Sequence, residues 1–100
     1  MTDVEESVEE GAASDDAGPE APVAAAVLRH IALSLVDDPS VVTVAVQPGR
    51  GRRVRLAVTV APDDFGRLIG RRGRVAAAIR SVVAAAAVRD GVDVEVEFVE

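Results

Sequence analysis

The residues best placed to do chemistry lie between Phe65 and Arg80, in the stretch FGRLIGRRGRVAAAIR. It carries five arginines (Arg67, Arg71, Arg72, Arg74 and Arg80) and no acid. At its centre Gly70 and Gly73 flank Arg71 and Arg72, between a short apolar turn (Phe65, Leu68, Ile69) and a long helical pattern. Glycine accepts a positive φ and lets another backbone come close, so this spacing predicts a tight turn between two helices. The second helix would aim its unpaired N–H groups and the positive end of its dipole into that turn. A phosphate is the natural occupant of such a place. Glycines, arginines and helix start together read as a clamp for a nucleic-acid backbone.

Other chemistries find little support. The chain has no Cys, which excludes disulfides, thiolate metal sites and a Cys nucleophile and fits a reducing, cytoplasmic setting. Its one histidine, His30, has no partner nearby in sequence and reads as a surface residue. The glycine turn lacks the Gly-Lys-Ser/Thr ending of a phosphate-binding P-loop and follows a helix, not a strand. Gly49-Arg50-Gly51 is not a dinucleotide fingerprint, because no helix follows it. No acid–base pair, metal-ligand cluster or nucleophile–base set is visible, so no enzyme, cofactor or small-molecule substrate is expected. No apolar run is long enough to span a membrane.

The net charge of −6 hides an uneven distribution. Residues 1–20 hold eight acids and no base, which leaves +2 for residues 21–100. Distribution, not the total, decides whether a nucleic acid can bind. Nine of the eleven arginines fall in two acid-free blocks, residues 49–55 and 65–80. The acidic N-terminal segment, residues 1–21, has few large apolar groups and is expected to be a disordered tail. Residues 22–100 are expected to form one domain.

The elements that must position the arginines follow from periodicity. Residues 22–36 read as a helix, with Pro22 in its first turn and Ala24, Val27, Leu28, Ile31 and Leu35 on one face. Arg29, His30 and Leu33 fall on the other side, and Asp37-Asp38-Pro39 ends the helix. Residues 41–46 and 53–60 are β-branched runs joined by a Gly/Pro/Arg turn, a hairpin whose tip carries Arg50 and Arg52 as further candidates for contact. Residues 64–69 form a short helix, with Asp63 expected as its N-cap. Residues 73–89 form the longest helix, with Val75, Ile79, Val82, Val83 and Ala86 as the expected core face and Gly91 as its stop. Residues 92–98 alternate as a strand whose outward Asp93, Glu95 and Glu97 could pair with outward Arg53 and Arg55. One sheet with a helical layer on one face would satisfy all the apolar faces, an α+β fold in the order αββααβ.

Ile69-Gly70-Arg71-Arg72-Gly73, followed by an Ile six residues after the second glycine, resembles the GxxG signature of a KH domain. The element order is similar to the type II, bacterial arrangement. Leu-Val-Asp-Asp-Pro at the end of the first helix, Val-Ala-Pro-Asp-Asp-Phe-Gly-Arg-Leu-Ile-Gly, Ala-Ala-Ala-Ile-Arg and the closing Val-Glu-Val-Glu-Phe-Val-Glu resemble the KhpA family of small single-domain KH proteins. The resemblance covers about residues 22–100. It implies a type II KH fold, a three-stranded sheet with helices on one face, and binding of single-stranded RNA by an RNA chaperone or post-transcriptional regulator. It also implies a homodimer, or a heterodimer with a KhpB-type KH protein. The residues it assigns to RNA are Arg67, Ile69, Gly70, Arg71, Arg72, Gly73, Arg74 and Arg80, with the glycines admitting the backbone, Arg71 and Arg72 engaging phosphates, and Ile69, with Val75 and Ile79, contributing to the wall of a base groove or to the core beneath it. Such a loop clamps about four nucleotides. With Phe65 and Phe98 as the only aromatics, a platform that stacks bases on aromatic rings is not expected. The competing reading is a protein-interaction module whose main task is dimerisation. Replacing Gly70 and Gly73 by Asp is expected to separate the two by removing RNA binding and sparing the fold.

Overall fold

The structure, a computed structural model, describes residues 20–100. The acidic segment assigned to a tail lies outside the described residues except for Glu20 and Ala21. The elements run α1 (Pro22–Leu35), β1 (Thr43–Pro48), β2 (Arg53–Thr59), α2 (Pro62–Ile69), α3 (Arg74–Asp90) and β3 (Asp93–Val99), with 3-10 turns at Pro39–Val41 and Arg71–Gly73. This is the expected α+β, αββααβ order. The sheet order is β1-β2-β3. β1 and β2 pair antiparallel through the hairpin, and β2 and β3 pair parallel. A parallel pair needs a crossover, which α2, the glycine turn and α3 supply.

The core forms where the helices cover one face of the sheet. Val54, Leu56, Val58 and Val60 of β2 and its extension are buried there with Leu28 of α1, Leu68 of α2 and Ile79 and Val83 of α3. On the opposite face the parallel register sets Arg53 beside Asp93 and Arg55 beside Glu95. Arg55 Nε lies 3.6 Å from Glu95 Oε1, the cross-strand pairing the alternation predicted. The pair is half-exposed and adds at most a few tenths of a kcal/mol.

Three local expectations change. The buried stripe of α3 is Ala76, Ile79, Val83 and Ala87, while Val82 is 50% exposed and Ala86 only half-buried. Seven alanines make this helix apolar on several sides, so the bulkier valines misplace the stripe, whereas small alanines face the layer where helix and sheet come closest. Leu33 is half-buried against the core, and Ala32 is part of it. The first strand begins at Thr43 because Pro39–Val41 wind into a 3-10 turn capped by Asp38, whose carboxylate accepts from the Ser40 N–H.

The start of α2 also differs. Pro62 opens the helix and Ala61 is its N-cap, so Asp63 sits in the first turn and caps nothing. Asp64 does the structural work. It is 2% exposed, and its carboxylate accepts the N–H groups of Asp37 and Asp38 at 3.0 and 3.1 Å. Those two donors lie just past the end of α1, so one buried side chain ties the exit of α1 to the start of α2. Asp90 does the same at the other end, accepting the Val23 and Ala24 N–H groups at 3.0 and 2.9 Å. It thereby supplies the cap that the first turn of α1 lacks among its own residues.

Asp64→Ala should lower the unfolding free energy by about 3 kcal/mol, since two hydrogen bonds to a charged acceptor disappear. Asp64→Asn, which keeps one acceptor oxygen, should lose less. Urea denaturation followed by circular dichroism measures both.

Candidate functional site

The turn between α2 and α3 is set by backbone geometry. Gly70 closes α2, donating its N–H to the Gly66 carbonyl at 2.8 Å, and adopts φ 75, ψ 175. That region belongs to glycine alone. A Cβ at this position would fall onto the Val75 side chain and 2.9 Å from the Val75 backbone nitrogen. The Gly73 N–H donates to the Gly70 carbonyl at 3.1 Å, which folds Arg71 and Arg72 into a tight turn. Arg72 (φ 58, ψ 24) and Gly73 (φ 74, ψ 15) are consecutive left-handed residues, and Arg72 is the one non-glycine residue with positive φ among the described residues. Such strain gathers at functional positions. No side chain caps the start of α3, and its first residue is the basic Arg74. A cation there opposes the helix dipole, and an anion in the turn would offset it.

Arg71, Arg72 and Arg74 are exposed and form no ion pair among the described residues. Arg67 differs. Its guanidinium lies 2.7 Å from Asp37 Oδ1 and 3.9 Å from buried Asp64. The hydrogen bond from Arg67, reinforced by its charge, holds the Asp37 carboxyl below its ordinary value. A depressed carboxyl stabilises the fold above its unfolded pKa and stops doing so as pH falls through the folded value, so at neutral pH the pair is intact. Arg67 therefore holds the α1 exit first, and its availability to a ligand is reduced.

Beside the turn, a groove follows the free edge of β3. The part nearest the turn is a cavity of about 410 Å³ between Phe65 and Ile69 of α2 and Glu97 and Phe98 of β3. A second cavity of about 260 Å³ continues it past Val94 and Asp93. Arg80 lines both, with its guanidinium carbon 5.0 Å from the centroid of the Phe98 ring. A third hollow lies at the hairpin, between Arg50, Arg53 and Glu95. Arg52 does not join it. Its Nε donates to the Gly91 carbonyl at 3.0 Å, which pins the hairpin tip to the α3–β3 turn.

Residues 25–98 match the family described as KhpA/KhpB, KH domain. The RNA-binding protein KhpA of Clostridium acetobutylicum is 45% identical over 73 residues, which cover 73% of this chain and 96% of that protein. The protein of the same name from Leifsonia xyli is 42% identical over 76 residues, 76% of this chain and 96% of its own. That of Streptomyces coelicolor is 50% identical over 58 residues, 58% of this chain and 72% of its own. This chain belongs to the KhpA/KhpB KH-domain family.

The KhpA/KhpB match runs from Ala25, within α1, to Phe98, so the turn and the groove both lie within it. The structure brings Gly70, Arg71, Arg72, Gly73 and Arg74 into one turn and places Ile69 and Arg80 on the adjoining groove, while Arg67 faces the α1 exit. Asp37, Asp64 and Phe98 complete this neighbourhood, and the residue-type argument had no means of finding them. Asp64 reaches partners 26 and 27 residues away, and Phe98 meets Arg80 from a separate strand.

The two glycines differ in what they demand. Gly73 has open space where a Cβ would stand, and only its left-handed backbone resists substitution. Gly73→Ala should cost about 1 kcal/mol. Gly70→Ala should cost roughly 3 kcal/mol or more, from glycine-only backbone and the Val75 collision. Replacing both by Asp thus damages the fold it was meant to spare. Thermal melts of the two single alanine variants separate these costs.

Proposed function

We propose that this chain binds single-stranded RNA, taking the sugar–phosphate backbone at Gly70–Gly73 and bases in the groove along β3. One observation carries the reading: three exposed arginines without ion pairs among the described residues crowd a left-handed turn at the uncapped start of α3. Side-chain guanidiniums and backbone N–H groups there meet the same phosphates, and the Gly70 position leaves no side chain in the way. The relatives' shared name, RNA-binding protein KhpA, supports this assignment. The groove carries two phenylalanines and a few aliphatic side chains among charged ones, so base contacts are few. Binding by one domain is then weak, broad in sequence and strongly salt-dependent. Those properties suit an RNA chaperone or post-transcriptional regulator acting on many transcripts.

Pairing with a second KH copy, of this chain or of a KhpB-type protein, is favoured by a separate observation. Ile31 and Leu35 of α1 and Val75, Ala78 and Val82 of α3 line an almost wholly apolar hollow of about 360 Å³. Val82 in it is half exposed, although it stands next to the core stripe. Two weak sites joined in this way would gain effective concentration on one RNA strand.

Two variants separate the readings. Arg71→Asp/Arg72→Asp should keep its melting curve, since Asp tolerates left-handed backbone, and lose at least about tenfold in RNA affinity by fluorescence anisotropy. Val82→Asp should keep the RNA site but shift sedimentation equilibrium toward monomer. RNA affinity unchanged in the loop variant would remove the turn from the site, and function would then rest on assembly alone.

A further inference from the structure

Arg80 differs from the loop arginines in its surroundings. The turn from Gly70 to Arg74 holds no acid. The groove around Arg80 is lined by three, Asp93 in the smaller cavity, Glu97 in the larger and Glu95 in both, together with Arg53 in the smaller cavity and Arg55 in the larger. Glu95 is matched by Arg55 across the strands, and Asp93 has Arg53 beside it in register. Glu97 lies opposite Ala57 and forms no ion pair among the described residues. A phosphate drawn to Arg80 would therefore sit beside carboxylates, two of which already have Arg53 and Arg55 next to them, while an acid-free turn with three arginines stands a few residues away. Charges of both signs balance along the groove, whereas those at the turn are all positive, so a phosphate favours the turn.

The position of Arg80 suits a different ligand. Its guanidinium carbon sits over the Phe98 ring at 5.0 Å, within cation–π range. The side chain remains exposed and forms no ion pair with a carboxylate among the described residues. The ring fixes one side of a planar cation and leaves its other side to the groove. Unstacked RNA bases stack on guanidinium planes, and a Lys ammonium offers no such plane. Arg80 also stands where the two cavities, of about 260 and 410 Å³, meet.

We infer that Arg80 is a stacking shelf for an RNA base, held by Phe98, which divides the groove into two base compartments and leaves phosphate binding to the turn. This rests on the RNA-binding reading above. It takes Arg80 out of the backbone clamp read from the basic stretch and gives it a contact to the face of a base. It also adds a stacking surface to a chain without Trp or Tyr.

The test is a fluorescence-anisotropy titration of a labelled twelve-nucleotide mixed-sequence RNA at four KCl concentrations. Wild type, Arg80→Lys, Arg80→Ala and Arg71→Ala/Arg72→Ala are compared, with melting curves to show that each is folded. A shelf predicts that Arg80→Lys loses about as much affinity as Arg80→Ala, roughly five- to twentyfold. Both should keep the wild-type slope of log affinity against log salt. A phosphate ligand predicts the reverse: Arg80→Lys binds like wild type, and Arg80→Ala flattens the slope by about 0.7. That result, or wild-type affinity in both Arg80 variants, overturns the shelf. The loop variant isolates the underlying reading. If it binds as wild type does, or if wild type shows no salt-sensitive binding, the RNA site itself is wrong and the shelf falls with it. If the loop variant loses binding while Arg80→Lys does not, the shelf alone fails.

Discussion

The absent side chain at position 70 governs how α2 meets α3. The first turn of α3 packs so closely that Val75 fills the space a Cβ would need, and the Gly70 backbone adopts a region closed to other residues. This contact fixes the direction in which α3 leaves the turn. It thereby sets which residues of α3 reach the sheet, where Arg80 meets Phe98 and where the uncapped N–H groups of α3 point. The strain at Arg72 belongs to the same arrangement. A non-glycine residue held left-handed costs about 1–2 kcal/mol, and the packing on both sides of the turn sustains it.

Acids divide the arginines into classes that the basic stretch alone does not reveal. Arg55 is matched across the sheet by Glu95, Arg67 by Asp37 at the α1 exit, and Arg52 by a backbone carbonyl. Arg80 lies over an aromatic ring in a groove lined by carboxylates and by Arg53 and Arg55. Arg71, Arg72 and Arg74 form no ion pair among the described residues. An equal spread of five arginines over one surface would give a diffuse basic patch. The observed division sets three exposed arginines on an acid-free turn beside a groove where arginines and carboxylates balance, an arrangement that in the proposed reading gives the backbone to the turn and the bases to the groove.

Much of this was legible in the sequence because it is local. Glycine spacing, helix periodicity and strand alternation each report on neighbours within a few residues, and they yield the element order, the turn and the β2–β3 charge pairing. The alanine-rich α3 shows where this stops. With Ala76 and Ala87 buried and Val82 half exposed, side-chain size points away from the core stripe, because close packing selects the small residue. The roles of Asp64, Asp90 and Phe98 depend on contacts between distant segments, and an acid at the start of α2 looks like a cap whichever carboxylate is buried. Arg67 is the instructive case: its residue type and position match the basic stretch, and only the fold shows that Asp37 reaches it first.

The most direct test of the central claim is an amide chemical-shift titration of the ¹⁵N-labelled protein with a short single-stranded RNA. Backbone held at the turn and bases held in the groove predict that the largest shifts gather on Gly70–Val75 and on Val94–Phe98. Shifts confined to the Ile31, Leu35 and Val82 strip, or to the outer face of β1, would contradict it.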